Sequence, residues 1–324
     1  MILRLSQIHC NSSKVPPHKP QSRPCCGCGR PLQQQLSVLK QGSQQLHGRI
    51  TAASESRRRN HLQIRAETAS NTNGSCLQPE SVSVMIVAGG VGKRMGAAIP
   101  KQYLDLEGQP IAMYSLQVFA AMPQVGEIII VCAEPYRELF RKYYDELPQK
   151  PALKFAEPGV ERQDSVRNGF EAIMPNASVI AIHDSARPLI SPNDAVRCMQ
   201  EGFEQGAAVL GVRVKPTIKE VHSDLTVVKT LKRVNLWEVQ TPQVIQPELL
   251  RQGFEAMDRE HFEVTDDVSI VEALGLPVKL TPGSETNIKV TTPDDMTHAL
   301  GILEERRAAA EKLAVAEASA VVAA

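Results

Sequence analysis

The sequence predicts an α/β protein with a mainly parallel twisted sheet, helices on both faces and an inserted β-hairpin arm. Three observations support this fold class. From Ser81 onward, short β-branched runs alternate with runs that place apolar residues at helical spacing. A glycine-rich loop directly follows the first predicted strand. Near Val214 this alternation stops, and two weakly alternating runs flank a His-Ser-Asp turn, which is typical of a hairpin.

The individual elements follow from these patterns in chain order. We predict strands at "SVSVMIVA", "EIIIVC", "ALKFAE", "SVIAIHD" and "AAVLGVRV". The helices between them are predicted at "PIAMYSLQVFAAM", "PYRELFRKYYDEL", "RQDSVRNGFEAIM" and "PNDAVRCMQEGFEQG", three of which begin with a proline, a residue favoured in the first helical turn. After a hairpin over residues 214–236, further helices are predicted near 247–259, 267–274 and 293–308.

The chain combines a basic leader with an acidic body. The first 66 residues carry eleven Lys and Arg but one acidic residue, Glu55, which leaves 25 Lys and Arg against 35 Asp and Glu in the rest. The leader is rich in Ser, Gln and Arg without a regular apolar period, which is the composition of an organelle transit peptide, although a disordered tail would look the same. We therefore divide the chain into a transit peptide over 1–75, one domain over 76–310 that contains the arm at 214–236, and a tail over 311–324.

Composition also argues against several classes of function. Nucleic acid is not predicted as a partner, because a phosphate backbone requires a basic face and the body is acidic. No stretch approaches the ~18 consecutive apolar residues of a membrane span. Cys10, Cys25, Cys26 and Cys28 lie in the leader with no second Cys/His pair at zinc spacing, so we predict no zinc site. The three cysteines of the body indicate a reducing compartment without a disulfide framework.

The stretch "VAGGVGKRMG" at residues 87–96 carries four glycines and two adjacent cations, Lys93 and Arg94. Glycines let backbone amides approach an anion closely, and the cations neutralise its charge. A P-loop requires Ser or Thr where Arg94 stands, and the last two glycines lie one residue further apart than in a dinucleotide fingerprint. A nucleotidyltransferase loop is long and is followed by a separate lysine, here Lys101 in "IPKQYL". A plain strand-to-helix turn explains neither the cations nor this length.

Further motifs follow the loop in a recognisable order. They are "ERQDSVRNG", "HDSARP", "TPQ", "TDD" and "NIKVTTPDD". Together with the loop and "PKQYL", they resemble the 2-C-methyl-D-erythritol 4-phosphate cytidylyltransferases of the non-mevalonate isoprenoid pathway, from about Ser81 to about Leu303. The resemblance implies a Rossmann-like nucleotidyltransferase fold and transfer of CMP from CTP to the sugar-alcohol phosphate, with release of pyrophosphate.

The resemblance also implies a role for individual residues. Such a reaction needs fixed cations and a metal that stabilise charge on a five-coordinate phosphorus. The implied catalytic residues are Arg94, Lys101, Arg233 and Lys289. Asp184 matches the family's metal-binding aspartate, which implies Mg²⁺ or another divalent cation.

Binding roles are implied for a larger set. The residues matched to CTP binding are Ala88, Gly89, Gly90, Gly92, Arg94, Lys101, Gly159, Val160, Arg162, Ser165, Asp184 and Lys289. Those matched to binding of the acceptor are Asp184, Arg187, Thr217, Arg233, Thr265 and Lys289. Many relatives carry Asp where Val160 stands, so only the backbone of Val160 is predicted to contact the base.

Plainer interpretations remain open on pattern alone. Asp184 ends a predicted strand and Thr265 precedes a predicted helix, positions where caps and turn residues are common. Lys289 fits a solvated lysine, and Arg233 fits an exposed strand cation. We interpret His183 as structural, because an ionised phosphate nucleophile needs no general base.

The resemblance finally implies partners and a location. The arm is expected to reach a second subunit in a homodimer with shared active sites, since an isolated two-stranded hairpin is marginal in water. Pro216 stands where some relatives have Asp. The leader and the implied pathway favour the chloroplast. The alternatives are a ribitol 5-phosphate cytidylyltransferase of bacterial wall synthesis, a non-catalytic nucleotide-binding module and, weakly, a dehydrogenase.

Overall fold

The computed structural model describes residues 76–90, 95, 99–262 and 264–323, with side chains described as far as Lys312. The predicted transit peptide over 1–75 lies outside the described residues. So does the centre of the glycine loop, which includes Gly92 and Arg94. Within the described part of the chain, no helix combines the length and apolar character needed to cross a membrane.

The described chain forms eleven strands and seven α-helices. The strands are β1 (Val82–Val87), β2 (Asp105–Leu106), β3 (Gln109–Pro110), β4 (Val125–Val131), β5 (Ala152–Ala156), β6 (Val179–Asp184), β7 (Ala207–Arg213), β8 (Lys219–Val221), β9 (Val227–Thr230), β10 (Trp237–Ile245) and β11 (Lys279–Pro282). The helices are α1 (Ile111–Ala120), α2 (Arg137–Asp145), α3 (Arg162–Phe170), α4 (Pro192–Gln205), α5 (Pro247–Glu260), α6 (Ser269–Ala273) and α7 (Pro293–Ala323).

Seven strands form one sheet in the order β11-β7-β10-β6-β1-β4-β5. The pairs β1–β4, β1–β6, β4–β5 and β7–β11 are parallel, and β10 runs antiparallel to both of its neighbours. The predicted mainly parallel α/β sheet is thus confirmed. In such a sheet, ligands bind at the carboxyl ends of the parallel strands. The short strands β2 and β3 pair separately with each other.

Alternate residues of the central strands pack against helices on opposite faces. Val84 and Ile86 of β1 join a buried cluster with side chains of α1 and α4. Met85, between them in sequence, joins a second cluster with side chains of α3, α5 and α6. The two-residue period of a strand therefore explains why every residue of β1 except Ser83 is apolar: both faces of the strand are buried. The prediction of helices on both faces is confirmed.

The predicted arm at 214–236 contains an antiparallel pair, β8 and β9, whose residues are exposed. The register joins Lys219 to Thr230 and Glu220 to Lys229. In the turn between the strands, the Asp224 carboxylate accepts a hydrogen bond from the Thr226 N–H at 2.9 Å, as the side chains of turn residues often do.

Most helices end within about two residues of their predicted bounds, and two differ by more at their C-terminal ends. Helix α3 ends at Phe170 rather than near Met174, and the N–H groups of Ala172 and Ile173 that follow it donate to the carbonyls of Gly169 and Phe170 in tighter turns. Helix α7 continues to Ala323, through most of the predicted tail. The alanine-rich composition of that segment has high helix propensity, which explains the continuation.

Candidate active site

A cavity of about 280 Å³ lies where β1 and β6 end, at the carboxyl edge of the parallel strands. Its described lining residues are Val87, Gly90, Lys101, Gln102, Arg162, Asp184, Ser185, Ala186, Lys289 and Thr291. The structure therefore brings together five residues whose roles were predicted from motifs far apart in the sequence: Gly90, Lys101, Arg162, Asp184 and Lys289.

The first limb of the glycine loop, residues 88–90, continues directly from β1. The Ala88 N–H donates to the Val131 carbonyl at 2.8 Å, which extends the pairing of β1 with β4 by one residue. Gly89 packs against Pro158, and a Cβ at position 89 would lie 2.3 Å from the Pro158 Cβ. A larger residue at position 89 would therefore force the loop away from the segment around Gly159, which is matched to base binding.

Lys101 belongs to a 3-10 turn, Lys101–Tyr103, that follows the loop. Its Nζ donates to the Val290 carbonyl at 2.7 Å, next to Lys289 in the chain. Val290 is itself fixed, because its N–H donates to the Ala186 carbonyl at 2.8 Å. Lys101 is thus bound to the same short segment of chain that carries Lys289.

Asp184 is at the centre of a network of charges. Its carboxylate pairs with Arg162 Nη1 at 2.5 Å and with Lys289 Nζ at 2.6 Å. Arg162 in turn donates to Asp267 twice, through Nε at 3.0 Å and through Nη2 at 2.6 Å. This two-bond geometry fixes the plane of the guanidinium as well as its position.

The charges in this network hold Asp184 ionised. Burial alone would raise the pKa of Asp184, but the positive charges of Arg162 and Lys289 outweigh it and hold that pKa far below its ordinary range. Burial raises the pKa of Asp267, although Arg162 opposes the shift. Two cations thus face two carboxylates, and Lys101 adds a further positive charge to the same cavity. An excess of positive charge suits a polyanionic ligand.

His183 lies beneath the cavity and is fully buried. Its ring nitrogens contact the Arg187 carbonyl at 3.2 Å and the Thr241 hydroxyl at 3.1 Å. Burial lowers the pKa of His183 to about 4, so the ring is neutral at physiological pH. The same Thr241 hydroxyl accepts a hydrogen bond from the Asp184 N–H at 3.0 Å. These contacts agree with a structural role, in which His183 supports the end of β6.

The segment matched to base binding is fixed at the start of α3. The Gly159 N–H donates to the Ser165 hydroxyl at 2.9 Å, and a Cβ at position 159 would lie 2.2 Å from the Asp164 Cβ. Only glycine fits this close approach. Val160 is 95% exposed, so its side chain has no protein surroundings in the described chain and its backbone is the part that can contribute fixed contacts.

The sequence model of the 2-C-methyl-D-erythritol 4-phosphate cytidylyltransferase family matches residues 82–305. This chain belongs to that family. The match covers the glycine loop, the Asp184 network and the arm. The predicted resemblance and the predicted nucleotidyltransferase class are thereby confirmed, and the weak dehydrogenase alternative is not supported.

Individual relatives agree with the family assignment. The chain is 51% identical to the chloroplastic cytidylyltransferase of rice, Oryza sativa subsp. japonica, over 74% of this chain and 80% of the relative. It is 43% identical to the enzyme of Alkaliphilus oremlandii, over 69% of this chain and 96% of that one. The crystal structure of the Francisella tularensis enzyme has a TM-score of 0.55 and 30% identity, and covers 68% of this chain and 98% of its own.

Arg187 differs in its surroundings from the other residues matched to the acceptor. It is 7% exposed, and its guanidinium donates to the Asn287 carbonyl at 2.7 Å and to the Val239 carbonyl at 3.4 Å. In this member of the cytidylyltransferase family, Arg187 therefore holds the segment that leads to Lys289. Contact between Arg187 and an acceptor phosphate stays a prediction.

Besides Arg187, three predicted acceptor residues lie outside the described lining of the cavity. Thr217 and Arg233 are exposed on the arm, where Arg233 donates to the Lys215 carbonyl. Thr265 is exposed in the loop before α6. The neighbouring Asp266 accepts a hydrogen bond from the Ser269 N–H at 3.1 Å, but the N-cap of α6 is Val268, which makes no side-chain capping bond, so the interpretation of this motif as a helix cap is not confirmed.

Sequence reasoning missed three residues that support the site: Gln102, Thr241 and Asp267. Each lies inside a motif that was recognised ("PKQYL", "TPQ" and "TDD") but was given no role. The second acid of "TDD" was the available signal for Asp267. Its partner Arg162 is 105 positions away, and sequence spacing carries no information on such a contact.

Proposed function

We propose that this protein transfers CMP from CTP to 2-C-methyl-D-erythritol 4-phosphate, which yields 4-diphosphocytidyl-2-C-methyl-D-erythritol and pyrophosphate. The observation that carries the proposal is the convergence of Lys101, Arg162 and Lys289 around the ionised Asp184 at the carboxyl edge of the sheet. Membership of the cytidylyltransferase family supplies the substrates that this arrangement suits.

The reaction balances as one displacement at phosphorus. An oxygen of the acceptor's phosphate forms a bond to the α-phosphorus of CTP, and the bond from that phosphorus to the bridging β-phosphate oxygen breaks. Pyrophosphate leaves with the electron pair, and no proton has to be removed from the nucleophile. Lys101 and Lys289, already held by Val290 and Asp184, stabilise the charge that develops on the phosphoryl oxygens.

Asp184 fits a role in binding a divalent cation. Among the described residues, no group of three or more His, Cys, Asp or Glu could hold a metal ion. Mg²⁺ in nucleotide sites does not need three protein ligands, because one or two carboxylates bind it and phosphates and water complete its coordination. We propose that Asp184 holds Mg²⁺, which would neutralise part of the triphosphate charge when bound.

We also propose that the arm docks on a second copy of this chain. Its exposed large apolar side chains are those of Val221, Leu225, Val227, Val228 and Val234. Leu225, at the tip, is 80% exposed. An apolar hairpin of this kind is stabilised by covering it. Docking on a second chain would carry Thr217 and Arg233 toward the partner's cavity.

Mixed dimers test the shared site. If the arm serves the partner's cavity, Arg233→Ala and Lys101→Ala homodimers are each damaged at both sites, whereas a mixed dimer has one site with both defects and one with neither. Re-equilibrating the two inactive variants should restore about half of the wild-type activity per mixed dimer, by the symmetry of a twofold assembly. Mixed dimers that form, as shown by differently tagged chains, and stay inactive would mean that Arg233 serves its own subunit.

We propose a plastid location, supported by the basic leader and by the chloroplastic relative from rice. If residues 1–75 serve only as a targeting signal, the protein that starts at Cys76 should be soluble and as active as the full chain, because every motif follows Ser81. Rates of pyrophosphate release from both forms check this expectation. A truncated protein that binds CTP without turnover would show that the leader contributes to the enzyme.

The choice of acceptor separates the proposed function from its nearest alternative. Pyrophosphate release should be measured with CTP and either 2-C-methyl-D-erythritol 4-phosphate or ribitol 5-phosphate at equal concentration. We expect the first acceptor to dominate. Turnover only with ribitol 5-phosphate would show that the protein is a ribitol 5-phosphate cytidylyltransferase. CTP binding without turnover of either acceptor would indicate a non-catalytic module.

A further inference from the structure

Gln102 has contacts that no role in the reaction yet explains. Its side chain lines the cavity, yet only 2% of the residue is exposed. The amide nitrogen donates to the Ala88 carbonyl at 2.6 Å and to the Gly90 carbonyl at 2.8 Å. Both acceptors belong to the first limb of the glycine loop. One side chain therefore binds two backbone groups of the loop at once.

These two hydrogen bonds occupy backbone carbonyl groups at the start of the glycine loop. A carbonyl oxygen carries partial negative charge, so a carbonyl turned toward a triphosphate would repel it. Gly90 lines the cavity, and the hydrogen bond from Gln102 offsets the partial negative charge of its carbonyl oxygen. Because the carbonyl and the following N–H of a trans peptide point in opposite directions, the bond to Ala88 also directs the Gly89 N–H away from Gln102.

The same turn connects the loop to the neighbouring lysine. Lys101 and Gln102 are consecutive in the 3-10 turn, and Tyr103 adds a third bond through its hydroxyl, 3.0 Å from the Ala88 carbonyl. The position of residues 88–90 is thus fixed relative to the turn that carries Lys101. An error of about 1 Å between a charge donor and a reacting phosphate is costly in catalysis.

We propose that Gln102 is a positioning residue, which fixes the first limb of the glycine loop relative to Lys101 so that the loop accepts the phosphates of CTP. The proposal rests on the function proposed above. It assigns Gln102 no contact with either substrate. Its effect is therefore expected on the nucleotide rather than on the acceptor.

Gln102→Met tests the proposal, because it keeps the length of the side chain and removes both hydrogen bonds. We expect CTP affinity, measured by equilibrium binding, to fall about tenfold, the effect of losing roughly one net hydrogen bond. The KM for the acceptor should change less than about twofold, and kcat should fall together with CTP affinity. Tyr103→Phe removes one bond and leaves the Gly90 carbonyl paired, so its effect should be smaller.

Gln246→Met is the matched control. Gln246 also donates to a backbone carbonyl, that of Phe203 at 2.9 Å, but it follows β10 at the opposite edge of the sheet. This variant should lose stability without a change in CTP affinity. If Gln102→Met does not fold, Gln102→Asn, which shortens the amide side chain, carries the test with the same readouts.

The outcomes separate this inference from the proposed function. Folded Gln102→Met with unchanged CTP affinity and unchanged kcat, beside an inactive Lys101→Ala enzyme, would overturn the role of Gln102 alone. An active Lys101→Ala enzyme would instead overturn the site assignment on which the inference rests. Equal loss of CTP and acceptor affinity in Gln102→Met would show a general structural role and would also contradict the inference.

Discussion

Lys101→Ala is expected to lower turnover by a factor of roughly 10² or more, the usual effect of removing one preorganised charge donor from a transition state. Lys101 lines the cavity at the end of β1 and is held by the Val290 carbonyl, so its charge is in place before the substrates bind. The loss should appear mainly in kcat, with a smaller change in CTP affinity, because charge on the phosphoryl oxygens grows toward the transition state.

The control for this variant is Lys279→Ala, which removes an exposed lysine from the start of β11. Both variants lose one positive charge, but only one loses it from the cavity. Steady-state rates of pyrophosphate release, with a thermal melt of each protein, complete the comparison. Near-normal turnover of folded Lys101→Ala would show that Lys101 does not take part in the reaction.

The second large effect is expected for Asp184→Asn. The substitution keeps the shape of the side chain and removes the charge that pairs with Arg162 and Lys289. Both cations would lose their shared partner, and Lys289 would no longer be held at the cavity. We expect turnover to fall by roughly 10²-fold or more, the scale for losing a preorganised electrostatic group. The concentration of Mg²⁺ that gives half-maximal rate should rise.

Asp258→Asn provides the comparison for Asp184→Asn. Asp258 also pairs with an arginine, Arg167, but on the surface, where solvent screens the pair and its contribution to stability is small. Its turnover and metal requirement should stay at wild-type values. If Asp184→Asn behaves in the same way, or if the wild-type enzyme is active in the presence of a chelator, then Asp184 does not bind a metal.

The sequence predicted the layered sheet well, for a physical reason. A strand buried on both faces, such as β1, is a nearly continuous apolar run in the sequence, and the helices between such strands show apolar residues at helical spacing. β10 gave no comparable pattern, because its first residues are exposed or half-buried and a proline lies within it. Its antiparallel direction depends on pairing with both β6 and β7, which local sequence does not encode.

Residues of the site could be predicted where they belong to a motif whose role is known. Lys101, Asp184 and Lys289 were assigned from motifs, and the structure places all three around one cavity. The partners that hold these residues were not assigned. Asp267 is connected to the site only through Arg162, and Gln102 only through loop carbonyls, and both contacts arise when distant segments pack together.

Identification of the product tests the central claim most directly. The enzyme should be incubated with CTP, Mg²⁺ and 2-C-methyl-D-erythritol 4-phosphate, and the mixture followed by ³¹P NMR with mass spectrometry of the product. The account predicts two coupled diphosphate resonances in a product with the mass of 4-diphosphocytidyl-2-C-methyl-D-erythritol, formed in equal amount with pyrophosphate. Hydrolysis of CTP without a new diphosphate, or an acceptor that is recovered unchanged under these conditions, would contradict it.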